Sequence, residues 1–220
     1  MIVYGSTISP FVRKLMAFAA EKGLVLELKN AGLGRGGPEF EEASPFGKMP
    51  GFRDPGADQG RDFCISDSTA IITYLDAKYP DPNLIPIDPI ARARTIWYEE
   101  FADTMVCAMG GKLFFNRFVA PKVLKIAGDE TVAVAAETTE LPPLLDYLER
   151  VVPVSGFLVE DRITLADIAV CSPFVNLDHI SVAIDPARWP RTTAYVAAIL
   201  ARPSFAPIIA REKVMVAALA

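Results

Sequence analysis

The periodicity of this chain changes once, and the change splits it into two differently built halves. Over residues 1–80 short β-type runs alternate with helical segments. From Ile90 onward strand signals nearly disappear and long amphipathic helical patterns take over. Between them YPDPNLIPIDP holds four prolines, and residues 81–89 therefore read as a linker. A chain of 220 residues is long enough for two small domains of this kind.

In the first half MIVY is a short β-type run, and PFVRKLMAFAAEKG follows with Phe11, Leu15, Phe18 and Ala19 at helical spacing. Gly23 stands where a helix commonly closes on a left-handed residue. LVLELKN reads as a second strand. GLGRGGPEF lacks the GKS or GKT ending that a phosphate loop needs, so it is expected to be a mobile surface segment. MPGF and DFCIS read as strands separated by a polar turn, and SDSTAIITYLDAKY as a helix. The order βαβ, then ββα, resembles a thioredoxin-like unit. The fold expected is an α/β thioredoxin-like N-terminal domain (1–80) followed by an all-α helical domain (90–220).

In the second half IARARTIWYEEFADTMVCAMGGKLFF is one long amphipathic pattern. A second, DETVAVAAETTELPPLLDYLERVV, should kink or split at Pro142–Pro143. Trp97, Tyr98, Phe101, Phe114, Phe115 and Phe118 read mainly as core or dimer contacts.

Composition removes several classes of function. A net charge of −5 and a pI near 5.0 argue against a nucleic-acid partner, which needs a basic face. No apolar run approaches a membrane span, and MIVYGST lacks the basic and apolar regions of a signal peptide. Cys64, Cys107 and Cys171 are scattered, without metal-ligand spacing; they read as buried fillers in a reducing, cytoplasmic setting. No metal site is expected. The single histidine, His179, reads as structural.

Three short stretches invite chemistry. Ser9 precedes Pro10 at the start of the first helix and is a natural N-cap. The same place, at the positive end of the helix, suits an anion. Met49–Pro50 is compatible with an ordinary trans turn or with a cis bond, since the cis form of X–Pro costs only about 0.5–1 kcal/mol. A cis bond would present the Met49 backbone to a peptide-like ligand. Asp67 and Ser68 open another helix, as ordinary caps or as a clamp for the ammonium and carboxylate of an α-amino acid.

Together, and in this order, SPF, KMP and DS resemble the glutathione-binding domain of cytosolic glutathione transferases. GFLVEDRITLADIAV resembles that family's helix-capping motif, with Thr164 as N-cap and Asp167 three residues on, and LARPSFAPIIARE resembles its C-terminal signature. The resemblance implies glutathione as co-substrate, with no further cofactor. Ser9 would be catalytic and would bind the sulfur. Met49 and Pro50 would hold the cysteinyl backbone, Lys48 the glycine end, and Asp67 and Ser68 the γ-glutamyl end. Phe11, Met105 and Phe114 would face a small hydrophobic electrophile. A homodimer is implied, with neither nucleic acid nor membrane as partner.

Where the family's tyrosine-type members place their reactive residue, this chain has Tyr4 inside the strand. Ser9 takes the serine or cysteine position of tau-like and omega-like members. Arg13 and Lys14 either decorate the first helix or raise the positive potential beside Ser9. Conjugation is the expected activity; the alternatives are non-catalytic binding of glutathione or an apolar ligand, and thiol transfer or peroxidase chemistry.

Overall fold

A computed structural model describes residues 1–32 and 36–219. The chain forms two compact units, Met1–Leu84 and Ile85–Ala220.

The first unit holds a sheet of four strands, β1 (Ile2–Tyr4), β2 (Glu27–Lys29), β3 (Gly51–Asp58) and β4 (Arg61–Ser66), in the order β2-β1-β3-β4. β1 runs parallel to β2 and antiparallel to β3, and β3 runs antiparallel to β4. This is the thioredoxin-like arrangement. β2 is shorter than LVLELKN suggests, because its partner among the described residues, β1, offers three residues for pairing. The hairpin is longer than MPGF and DFCIS suggest. RDPGADQGRD carries both strands outward to a tight turn at Gln59–Gly60, where both residues have positive φ, the signature of a two-residue hairpin loop.

Alternation along the strands assigns their faces. Val3 and Phe52 pair in register and are fully buried beside Val12, Leu15 and Phe18 of α1 (Pro10–Glu21) and Ile71, Ile72 and Leu75 of α3 (Ser68–Lys78). On the other face Tyr4, with Ile2 and Cys64, packs against Phe40 and Ala43 of α2 (Gly37–Ala43). That helix corrects the expectation of a surface loop over GLGRGGPEF. Pro38 in its first turn presets the helical φ, and Phe40 gives it an apolar anchor. The remainder of that stretch, Leu33, Gly34 and Arg35, lies outside the described residues.

α1 closes at Lys22 and Gly23, and Gly23 adopts φ 70 as expected. Arg13 and Lys14 are not surface decoration: they are 0% and 1% exposed. Lys22 is also buried. Its ammonium pairs with Asp76 at 2.8 Å and donates to the carbonyls of Tyr79 and Pro82, tying the end of α1 to the chain leaving α3.

The second unit is all helical. Residues 89–124 form one continuous helix, in which α4 (Pro89–Glu100) and α5 (Cys107–Phe114) are each followed by wider π-type turns. The left-handed Lys125 ends it. The next pattern divides into α6 (Glu130–Ala135), a π-type stretch and α7 (Leu141–Val151), with Pro142–Pro143 in the first turn of α7. The three segments abut with helical backbone at each junction, so the pair lies inside a continuous helical path from Glu130 to Val151 rather than ending it. α8 (Leu165–Cys171) is buried at every position, as a core helix should be.

Asp167 anchors α8. Its carboxylate accepts from the N–H and hydroxyl of Thr164, the N–H of Leu158 and the hydroxyl of Tyr195. Burial pushes this carboxyl above its ordinary range even against those donors. α9 (Phe174–His179), α10 (Pro190–Leu200) and α11 (Ala206–Ala217) complete the unit. His179 at the end of α9 meets Glu212 of α11 at 3.0 Å with both side chains buried, the structural role expected. Cys171 is fully buried, whereas Cys64 and Cys107 are only half-buried. Of the aromatic group, Phe101, Phe114 and Phe118 are core, and Trp97 and Phe115 are about half exposed. Among the described residues no helix is long and apolar enough to cross a membrane.

Candidate active site

Strand direction brings the three suspect stretches to one edge of the sheet. β1 and β4 end, and β3 begins, on the same side, and the register aligns Tyr4 with Gly51 and Gly51 with Ser66. The chain therefore leaves Tyr4 toward Ser9, enters Gly51 from Met49–Pro50, and leaves Ser66 into Asp67–Ser68. Two strand spacings cover about 10 Å, close to the length of an extended tripeptide.

Each stretch is fixed locally. Ser9 is the N-cap residue of α1 in an extended conformation, its N–H bonded to the Ser6 carbonyl and its own carbonyl to the Arg13 N–H. Its side chain makes no capping hydrogen bond. This corrects the sequence reading in one respect: the position is a cap, but the hydroxyl is not spent on the helix. Ser9 is half-buried.

The Met49–Pro50 peptide is cis. Its turn is braced from behind by the buried Ser44, whose hydroxyl donates to the Lys48 carbonyl at 2.7 Å. Pro50 is buried, Met49 half-buried and Lys48 exposed. The Pro50 carbonyl accepts the N–H of Asp67 at 3.3 Å, so the second and third stretches are joined directly.

Asp67 carries φ 83 and ψ 128, a conformation that a non-glycine residue adopts only when its surroundings hold it there. They do: besides the Pro50 contact, Oδ1 accepts the N–H groups of Thr69 and Ala70 at 2.9 and 3.2 Å. Asp67 is exposed, while Ser68, the first residue of α3, is 2% exposed. The arrangement offers, along one edge, a hydroxyl, a backbone N–H and C=O, a helix N-terminus and a carboxylate. Those groups suit a short peptide bearing an α-amino acid end.

Phe11 is half-buried in the first turn of α1. Met105 and Phe114 belong to the second unit, where Met105 is 46% exposed and Phe114 is buried and stacked on Phe118 at 4.8 Å. The tyrosine hydroxyl of β1 is engaged elsewhere, donating to Glu39 at 3.1 Å.

Sequence reasoning missed Gly5. A side chain there would put its Cβ 2.6 Å from Val12 and 3.6 Å from Met49, so only glycine lets β1, α1 and the cis turn meet. A glycine directly after a strand was the available signal.

A four-stranded thioredoxin-like unit followed by an all-helical unit is the architecture of the glutathione transferase class. Family models described as the N-terminal and C-terminal domains of glutathione S-transferase match residues 3–83 and 123–211. The chain belongs to the glutathione S-transferase family. It is 30% identical to an uncharacterized GST-like protein, YibF, of Escherichia coli, over 83% of this chain and 85% of that one. It is 25% identical to a stringent starvation protein A homolog of Coxiella burnetii, over 93% and 89%. A glutathione S-transferase from Methylobacterium radiotolerans, solved in complex with glutathione sulfonate, superposes with a TM-score of 0.75 at 27% identity, covering 94% and 93%.

Proposed function

We propose that the protein is a glutathione transferase that joins the glutathione sulfur to small hydrophobic electrophiles. One observation carries the reading: the sheet register sets Ser9, Met49–Pro50 and Asp67–Ser68 on one edge, with the Ser9 hydroxyl unspent by its helix. Glutathione lies along that edge. Its γ-glutamyl ammonium meets Asp67, and its carboxylate meets Ser68 and the start of α3. The cysteinyl backbone pairs with Met49 beside Pro50, and the glycine end lies toward Lys48. Ser9 donates to the sulfur.

The energetics are of the right size. A thiol of pKa about 8.5 is only a few per cent ionised at neutral pH. Lowering it by about two units takes roughly 2.7 kcal/mol. One hydrogen bond to the thiolate, worth about 1.5–3 kcal/mol, suffices with help from the end of α1. The thiolate then attacks the electrophile and its leaving group departs. The active form in this proposal is a cytosolic homodimer that needs no cofactor beyond the co-substrate.

Conjugation of an aryl halide, with and without glutathione, tests the reading; glutathione-dependent product supports it. Glutathione binding without turnover would favour the second reading, a binding protein. That reading draws on the match to a stringent starvation protein A homolog, a relative not named as a transferase. Activity confined to mixed disulfides or hydroperoxides would shift the assignment to thiol transfer or peroxidase chemistry.

A further inference from the structure

The hydroxyl of Tyr4 and the ammonium of Lys29 converge on one carboxylate oxygen of Glu39, at 3.1 and 2.9 Å. Tyr4 and Lys29 are register partners at the ends of β1 and β2, and the Lys29 ammonium lies 5.8 Å from the centre of the Tyr4 ring. Glu39 stands in the first turn of α2, where a negative charge also suits the helix dipole. Lys29 and Tyr4 hold its carboxyl below the usual range, and Lys29 is raised in return. Burial pushes Tyr4 up, which keeps its hydroxyl protonated and donating.

α2 in turn meets this edge through Phe40, Ala43 and its C-cap Ser44. Phe40 and Ala43 pack on Tyr4 and the side chain of Met49. The same two residues roof Gly51, where an added Cβ would lie 3.3 Å from each. Ser44, which caps the helix, bonds the Lys48 carbonyl. A continuous chain of contacts therefore runs from Tyr4 and Lys29 through Glu39 and α2 to Lys48, Met49 and Gly51.

We propose that Tyr4, Lys29 and Glu39 form a latch that sets α2, and through it the Met49 backbone, for glutathione. They are positioning residues, and Tyr4 in particular acts on the affinity for glutathione and not on its thiol. The inference rests on the glutathione reading above. It predicts that Tyr4→Phe and Glu39→Ala each weaken glutathione binding by about three- to tenfold, the size of one net hydrogen bond. The double variant should be no weaker than the worse single one, because both break the same link. Lys29→Arg keeps the charge and should retain affinity, whereas Lys29→Met should not.

The test is calorimetric titration with glutathione, together with the pH–rate profile of conjugation, on wild type and these variants. Weakened binding with an unmoved pH midpoint supports the latch. An upward shift of the midpoint in Tyr4→Phe would make Tyr4 a thiol donor and overturn it. Unchanged affinity in the exposed-site variant Glu39→Ala, with wild type binding normally, overturns the latch alone even where Tyr4→Phe folds poorly. Absence of glutathione binding by wild type would overturn this inference and the proposed function together.

Discussion

The N–H of Asp67 donates to the carbonyl of Pro50 at 3.3 Å, joining the start of α3 to the cis turn ahead of β3. Asp67 thus does two jobs with opposite ends. Its backbone and Oδ1 hold the turn and the helix start, while its carboxylate stays exposed and, in the proposed function, meets the γ-glutamyl ammonium.

Asp67→Asn should separate those jobs. Asparagine is also a good cap, so stability should change by only a few tenths of a kcal/mol, while glutathione affinity falls about tenfold with loss of the charge. Asp67→Ala should lose both, with about 0.5–2 kcal/mol of stability. Urea unfolding and calorimetric titration read the two effects. Equal affinity in wild type and Asp67→Asn would remove the γ-glutamyl assignment.

Much of this edge was legible in the sequence, and the reason is local. Proline after Ser9 and after Met49, and Asp–Ser before an apolar helical run, each leave a local backbone signature; singly each is weak, and it is their order that points to one site. The long-range facts were not legible. Nothing in the spacing told that the Ser9 hydroxyl would be left out of its cap, or that Arg13 and Lys14 would face the interior. α2 was hidden because glycine-rich sequence argues for a loop, and it is long-range packing, with Phe40 and Ala43 set against Tyr4, that lets seven residues hold as a helix. The Tyr4 hydroxyl depended on the same missing helix.

The fold of the second unit should hinge on Asp167. Asp167→Ala would leave the buried N–H groups of Leu158 and Thr164 and the Tyr195 hydroxyl without their acceptor. At about 1–3 kcal/mol for each stranded donor the loss should exceed about 3 kcal/mol. Chemical denaturation measures it, and a loss below about 1 kcal/mol would contradict the role given to this residue.

Acid stability should depend on Asp54. Burial pushes this carboxyl up, but the Lys78 ammonium and the Tyr74 hydroxyl outweigh it and hold the carboxyl below its ordinary value. A depressed folded pKa contributes stability that is complete above the unfolded value, about 3.9, and is lost as pH falls through the folded one. Asp54→Asn should therefore flatten the fall in stability below about pH 4 while lowering stability at neutral pH. A pH series of urea midpoints decides it; parallel acid limbs in both proteins would refute the assignment.

Assembly is a separate prediction. Sedimentation at micromolar concentration should show a species of twice the 23.9 kDa chain mass. A single species at the chain mass would reject the homodimer.

In the proposed function Ser9 stabilises the thiolate of bound glutathione. The direct measurement is the thiolate absorbance of the glutathione complex, titrated against pH in wild type, Ser9→Ala, Ser6→Ala and Thr7→Ala. The Ser9 side chain makes no capping bond, so Ser9→Ala should cost less than about 0.5 kcal/mol of stability and the complex can be compared directly. The predicted result is a wild-type midpoint well below the ordinary thiol value of about 8.5, a return toward that value in Ser9→Ala, and little change in the other two. A wild-type midpoint retained in Ser9→Ala, with the shift appearing instead in Ser6→Ala or Thr7→Ala, would contradict the account.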